Sequence, residues 1–170
     1  VSLLRMKQRK MINSLPGIIV AQTKGANTLV RWAKSNFKIY KPNAFQNTVA
    51  TAMNIQNPVS FPRIKKLYKN FKMEFFDVPE NDIQKSRALF MGAGANICPQ
   101  SAVALDAVLQ ARENGTVKEK DLIISISTAS GIKFSESGME HHLKGKPEDF
   151  ANHPKIIDGT LADIEKTIKF

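Results

Sequence analysis

The stretch that decides the fold is residues 121–134, which read DLIISISTASGIKF. Its first part, residues 121–126, is mostly apolar, as expected of a strand that is buried on both faces of a parallel sheet. Hydroxyl-bearing residues and Gly131 follow this run. Ligands of open α/β sheets bind at the carboxyl ends of strands. The sequence therefore predicts a core strand that ends in a ligand-facing turn, with Thr128 as the first candidate for a chemical role.

Apolar strands and helical segments alternate on the amino-terminal side of this stretch. Two further strands are predicted, at residues 17–21 and 73–78. The predicted helices cover residues 1–13, 28–34, 47–52, 61–72, 101–112 and 160–170, and a further helix begins at residue 79 and ends at the glycine-rich residues 92–96. Asn27 is the predicted N-cap of the helix at residues 28–34, and Thr160 and Asp163 form a capping box at the start of the last helix. Residues 136–157 are expected to be less regular. This alternation predicts a single α/β domain over residues 1–170, with three layers and a mainly parallel sheet flanked by helices.

The composition of the chain excludes some functional classes and weighs against others. The hydrophobic fraction of 42% is ordinary for a globular protein, and no apolar run approaches the roughly 20 residues that span a bilayer. The single cysteine excludes an internal disulfide and fits a reducing compartment. Residues 1–73 carry fourteen Lys or Arg and no Asp or Glu. These bases are scattered, without an arginine-rich run or a stacking-aromatic motif, which weighs against nucleic acid as a partner. Their field can attract a phosphorylated substrate.

Individual side chains each have a functional and a structural interpretation. The Thr128 hydroxyl can hydrogen-bond a cofactor ring nitrogen while staying neutral, or it can cap the segment that follows. Cys98 is expected to be a small buried residue rather than a nucleophile, because no His lies near it in sequence. Since His141 and His142 are adjacent, their side chains point apart, and no metal site is predicted there. No nucleotide-binding or serine-hydrolase motif occurs.

Four segments, taken in order, resemble threonine synthase of the plant-like branch. This is a pyridoxal phosphate (PLP) family of fold type II, similar to the β subunit of tryptophan synthase. The segments are residues 21–27 (AQTKGAN), 51–60 (TAMNIQNPVS), 98–105 (CPQSAVAL) and 127–134 (STASGIKF). Several positions depart from the family pattern: Gln56 and Ala102 replace Gly, Ser101 replaces Thr, and both Gln100 and Ser130 replace His. The resemblance runs from about residue 16 to 170 and implies the C-terminal portion of such an enzyme.

The resemblance implies PLP as cofactor, with Thr128 against the pyridine nitrogen and Ile55 and Gln56 along the ring. It implies conversion of O-phospho-L-homoserine and water to L-threonine and phosphate, in a homodimer of the full-length enzyme. A cytoplasmic location is expected, or a plastid for a plant-like source. No catalytic residue is predicted in this chain, because it lacks the family's Schiff-base lysine motif and its Asn- and Gly-rich phosphate loop. These 170 residues alone are therefore expected to be inactive.

Two alternatives stay open at this point. Another fold-type II enzyme acting on an O-phospho amino acid, such as cysteate synthase, would share the fold and the ring contacts. Among the departures, Gln56, Gln100 and Ser130 are the features that fit that alternative best. A non-catalytic α/β binding module would instead account for the missing lysine motif and for the basic first half of the chain.

Overall fold

The structure is a computed structural model that describes residues 2–42 and 44–168. Helices and strands alternate along the chain. The strands are β1 (Ile18–Thr23) and β2 (Met73–Val78). The helices are α1 (Ser2–Gln8), α2 (Thr28–Lys34), α3 (Phe61–Leu67), α4 (Glu80–Gly92), α5 (Pro99–Glu113), α6 (Ser135–Lys144) and α7 (Leu161–Thr167). Short 3-10 turns occur at Lys24–Ala26, Thr51–Met53, Tyr68–Asn70, Gly131–Phe134 and Pro147–Asp149.

The two strands pair in parallel, from Ile18 opposite Met73 to Thr23 opposite Val78. Successive side chains of a strand point to opposite faces of the sheet. On one face, Val78 joins a core cluster that includes residues of α4 and α5. On the other face, Phe75 packs edge to face against Trp32 of α2. Helices therefore cover both faces of the sheet, and the three-layer parallel α/β fold predicted from the sequence is confirmed.

The core on the α5 face is built from small and branched side chains. Alanines and Val103 let α5 approach the strands closely, and it contacts both β1 and β2. The buried cluster on this face comprises Ala50, Val78, Ile83, Ile97, Ala102 and Val103. This packing fixes the amino-terminal end of α5 against the segment around residue 97.

An aromatic cluster fills the α2 face. Trp32 is only 1% exposed, and its ring meets the rings of Phe37, Phe61 and Tyr68 edge to face at 4.9–5.1 Å between centroids. Such pairs contribute about 0.5–1.5 kcal/mol each beyond the burial of area. The basic helix α3 and the following turn are thus held to the sheet through Trp32, while their lysines remain outside.

Most predicted elements are present, with local corrections. Both short strands form, α4 ends at Gly92 as predicted, and the Thr160 hydroxyl accepts the backbone N–H of Asp163. Asn27 does not cap α2 through its side chain, and its side-chain NH₂ donates to Asp77. Residues 136–157 are more regular than predicted, since α6 occupies their first part. Residues 47–52 give only the turn Thr51–Met53, and residues 169–170 of the last predicted helix lie outside the described residues.

The prediction of a buried strand at residues 121–126 is wrong for this chain. The segment has no strand assignment, and Leu122, Ile124 and Ile126 are 90%, 85% and 77% exposed. A strand needs backbone partners on a neighbouring strand, but β1 and β2 pair with each other and not with this segment. A cavity of about 370 Å³ separates its first residues from the starts of β1 and β2. Within the described ranges, no helix has the length and apolar character needed to cross a membrane.

Candidate functional site

The segment after residue 126 is tied to the start of α5 by a short backbone ladder. Ile97 and Ser130 form an antiparallel bridge, and the Gly131 N–H donates to the Asn96 carbonyl at 3.0 Å. The Cys98 N–H donates to the Ala129 carbonyl at 3.3 Å. The turn predicted from the sequence therefore does form, although the strand that was expected to carry it does not.

Local sequence explains this junction. Pro99 begins α5, where its missing N–H leaves no helical hydrogen bond unmade. Gly131 is buried, and a Cβ there would lie 1.9 Å from Oδ1 of Asn96 and 2.7 Å from the Ile97 carbonyl oxygen. Only glycine allows the two segments to come this close.

Three polar side chains meet inside the junction. Cys98 is fully buried, with its Sγ 3.1 Å from Oγ of Ser101 and 3.5 Å from Oγ1 of Thr128. Burial raises the pKa of the Cys98 thiol, but hydrogen bonds from the Ser101 and Thr128 hydroxyls and from the backbone at Ser101 and Ala129 outweigh it. The net pKa is about 7. The thiol is buried, as predicted.

Thr128 lies at the open side of this cluster. Its backbone N–H donates to Oγ of Ser101 at 3.1 Å, and the residue itself is exposed. The cap of the following Gly131–Phe134 turn is Ser130, whose hydroxyl accepts the Ile132 N–H at 3.3 Å. Thr128 is therefore not needed as that cap, and its hydroxyl can face a ligand.

Ile55 and Gln56 follow the Thr51–Met53 turn and are held to α2. The Thr28 hydroxyl donates to the Gln56 carbonyl at 2.5 Å, and the Gln56 side-chain amide donates to Oδ1 of Asn54. Ile55 is 52% exposed. The Thr51–Met53 turn contacts α5, so one helix adjoins both predicted parts of the site. Among the described residues, no hydrogen bond joins Thr128 to Ile55 or Gln56.

Gln100 is the feature of this region that sequence reasoning did not anticipate. Both polar atoms of its amide are buried without a hydrogen-bond partner, in the first turn of α5. A buried amide left unpaired costs about 1–3 kcal/mol. Thr128 offers a neutral hydroxyl on an exposed residue, and Gln100 offers unmade hydrogen bonds near the same helix start. These residues fit the ring end of a flat nitrogen heterocycle such as PLP.

The histidines serve local structure instead. The His142 Nδ1 accepts the Asn152 N–H at 3.0 Å, and the His141 Nε2 lies 3.1 Å from the Asp149 carbonyl. Burial lowers the pKa of His142, with the positive charges of His141 and Arg87 adding to the effect. In the part of the chain that the structure describes, no cluster of three His, Cys, Asp or Glu side chains could hold a metal ion.

The chain is similar in sequence to known proteins over most of its length. No protein-family model matches the chain. It is 29% identical over 167 residues to threonine synthase 2, chloroplastic, of Arabidopsis thaliana, covering 96% of this chain and 32% of that protein. Threonine synthase of Methanocaldococcus jannaschii is 26% identical over 124 residues, covering 72% of this chain and 31% of that protein.

A solved structure, that of threonine synthase from Escherichia coli, matches with a TM-score of 0.64 at 20% identity. The match covers 89% of this chain and 33% of that one. The chain thus spans about a third of the length of the curated relatives it matches. The resemblance predicted from the four sequence segments is confirmed: over nearly its whole length the chain is similar to a third of threonine synthase, and it has the α/β fold of that part.

Proposed function

We propose that this chain forms the ring-binding part of a PLP-dependent enzyme of the threonine synthase type. The observation that carries the proposal is the placement of the Thr128 hydroxyl, on a residue that is itself exposed. It is held at the start of α5 by Ser101 and Cys98, in a chain that matches a threonine synthase over 96% of its length. The reaction proposed for the complete enzyme is conversion of O-phospho-L-homoserine and water to L-threonine and phosphate.

In this proposal Thr128 hydrogen-bonds the pyridine nitrogen of PLP. When bound, PLP withdraws electrons from the substrate carbon next to the amino group. A hydroxyl is neutral and holds the ring nitrogen without giving it a full positive charge, whereas a carboxylate would favour the protonated ring. Ile55 would supply apolar contact along the ring. Gln56 would lie beside it, with its amide already engaged by Asn54.

The fixed backbone behind Thr128 supports this role. The Thr128 N–H is satisfied by Ser101, and the flanking carbonyl of Ala129 is satisfied by the Cys98 N–H. The hydroxyl is therefore positioned before a ligand arrives, and little conformational entropy is lost when it binds.

The exposed segment at residues 121–126 fits a larger assembly. Its apolar side chains and unpaired backbone have the features of a core strand that lacks its neighbours. We propose that the region represented by the other two thirds of the relatives supplies these neighbours, together with the covalent lysine and the phosphate loop. A homodimer and a cytoplasmic or plastid location are proposed from the similarity to threonine synthases.

The test is phosphate release from O-phospho-L-homoserine. The 170-residue chain with added PLP is expected to release no phosphate at an enzymatic rate, because it carries no lysine motif. The same chain mixed with the first two thirds of the Arabidopsis relative is expected to become active. Thr128→Val, which removes the hydroxyl but keeps the size, is the matched variant and should reduce that activity.

Two results would contradict the proposal. Activity of the 170 residues alone would show that the catalytic group lies within them. A mixture in which the Thr128→Val variant is as active as the parent would remove Thr128 from the site.

A further inference from the structure

Arg87 is a buried cation whose guanidinium contacts the Ile97 carbonyl and the segment from Gly131 to Ser137. It lies on α4, is only 2% exposed and makes no ion pair among the described residues. A buried charge is costly unless polar groups surround it. Here every hydrogen-bond partner of the guanidinium is neutral, so the arginine is retained without a balancing carboxylate.

The partners of Arg87 come from both segments that form the Thr128 junction. Its Nε donates to the Ile97 carbonyl at 3.1 Å, immediately before Cys98. Its Nη2 donates to the carbonyls of Gly131 at 3.0 Å and Phe134 at 2.9 Å, after Thr128. Its Nη1 donates to Oγ of Ser137 at 3.0 Å. A rigid, planar group with fixed donor directions thus spans the two segments.

We propose that Arg87 is a positioning residue, whose buried guanidinium sets the spacing between the start of α5 and the segment that carries Thr128. The functional meaning of that spacing rests on the function proposed above for Thr128. The spacing itself does not depend on it. Lysine cannot replace this group, because one ammonium cannot reach three carbonyls in the geometry of the guanidinium fork.

Cys98 reports on this arrangement. It lies at the start of α5, and its side chain contacts Thr128 on the other segment. Burial lowers the pKa of Arg87, and the charge of the Cys98 thiolate opposes that effect. The Cys98 thiol pKa depends on Thr128 and Ala129 as well, which are on the segment that Arg87 holds. A further titratable group coupled to Arg87 is His142 of α6, whose pKa the Arg87 charge helps to lower. Cys98 is the chain's single cysteine, so thiolate absorbance follows this one group.

A substitution at Gly138 can displace the Arg87 side chain while Arg87 itself is kept. A Cβ at Gly138 would lie 3.1 Å from Nη1 and 3.3 Å from Cζ of Arg87. Gly138→Ala therefore pushes the guanidinium by a few tenths of an ångström, while alanine is the better helix former within α6. Gly92→Ala is the matched control, because it makes the same replacement at the end of α4, where the new Cβ meets nothing within 4 Å.

The experiment is a pH titration of Cys98 thiolate absorbance in the full chain, with thermal unfolding of every variant alongside. Gly138→Ala is expected to raise the Cys98 pKa by about half a pH unit, as weakening part of one hydrogen bond would do. Arg87→Lys and Arg87→Met are expected to raise it further, by about one unit or more for Met. Gly92→Ala is expected to leave it unchanged.

If Arg87 served stability only, the variants that keep its charge, Gly138→Ala and Arg87→Lys, would change the unfolding temperature and leave the Cys98 pKa alone. Loss of the charge in Arg87→Met raises that pKa in either case. If Gly138→Ala keeps the Cys98 pKa within about 0.2 of the parent value, the proposal is overturned, even where the Arg87 variants do not fold. The titration needs no PLP. A Thr128→Val variant that binds PLP as the parent does would therefore refute the proposed function and leave this inference standing.

Discussion

Replacing Gly131 by alanine tests the junction most severely. The added Cβ would lie 1.9 Å from Oδ1 of Asn96 and 2.7 Å from the Ile97 carbonyl oxygen. The Asn96 side chain can rotate away, but the Ile97 carbonyl is backbone and is also held by Arg87. Relief therefore requires the two segments to separate. That separation weakens the Gly131 N–H bond to Asn96 and the Arg87 bond to the Gly131 carbonyl.

The magnitude follows from these losses. Overpacking in a buried site costs about 1–3 kcal/mol, and each hydrogen bond contributes about 0.5–1.5 kcal/mol. We expect Gly131→Ala to lower the free energy of unfolding by about 2–4 kcal/mol, which is about 4–16 °C in Tm for a chain of this size. Urea unfolding of the full chain measures the change, with Gly92→Ala as control. A loss below about 0.5 kcal/mol, the usual effect of a surface substitution, would refute the close approach of the two segments.

The remaining predictions concern the polar cluster and the aromatic core. Since the folded Cys98 pKa of about 7 is below the ordinary thiol value of 9.0, the thiolate adds stability that is complete above about pH 9 and is lost as the pH falls through 7. Cys98→Ala should flatten that part of the stability profile, and an unchanged slope between pH 7 and 9 would contradict it. Ser101→Ala should raise the Cys98 pKa and cost about 1 kcal/mol, because it removes the acceptor of the Thr128 N–H; thiolate absorbance and urea unfolding measure the two effects. Trp32→Ala should cost about 3–5 kcal/mol, and a loss under 1 kcal/mol in urea unfolding would show that the aromatic cluster is not part of the core.

Local sequence patterns correctly predicted the elements whose packing partners lie within the chain. The strand at residues 73–78 and the helix at residues 28–34 have the predicted bounds, because their apolar faces pack against each other. The segment at residues 121–126 has an equally strong apolar pattern and forms no strand. Periodicity reports what a segment can bury but not whether a partner strand is present.

The site was predictable in part. The Thr128 turn was located from hydroxyls before a glycine, and Cys98 was expected to be buried. Arg87 gave no signal, because an arginine in a charged helix usually lies in solvent. The polar contacts of Cys98 were also missed, since Ser101 and Thr128 are 27 residues apart and meet only through the fold.

In the proposed function, Thr128 faces the ring of PLP. Two-dimensional ¹H–¹⁵N NMR of the full chain during a PLP titration tests it directly. We expect saturable shifts of the Thr128, Ser101 and Gly131 amides, which weaken in Thr128→Val. Shifts confined to the basic helix α3, with the Thr128 amide unmoved, would show that PLP binds only as an anion and would contradict the claim.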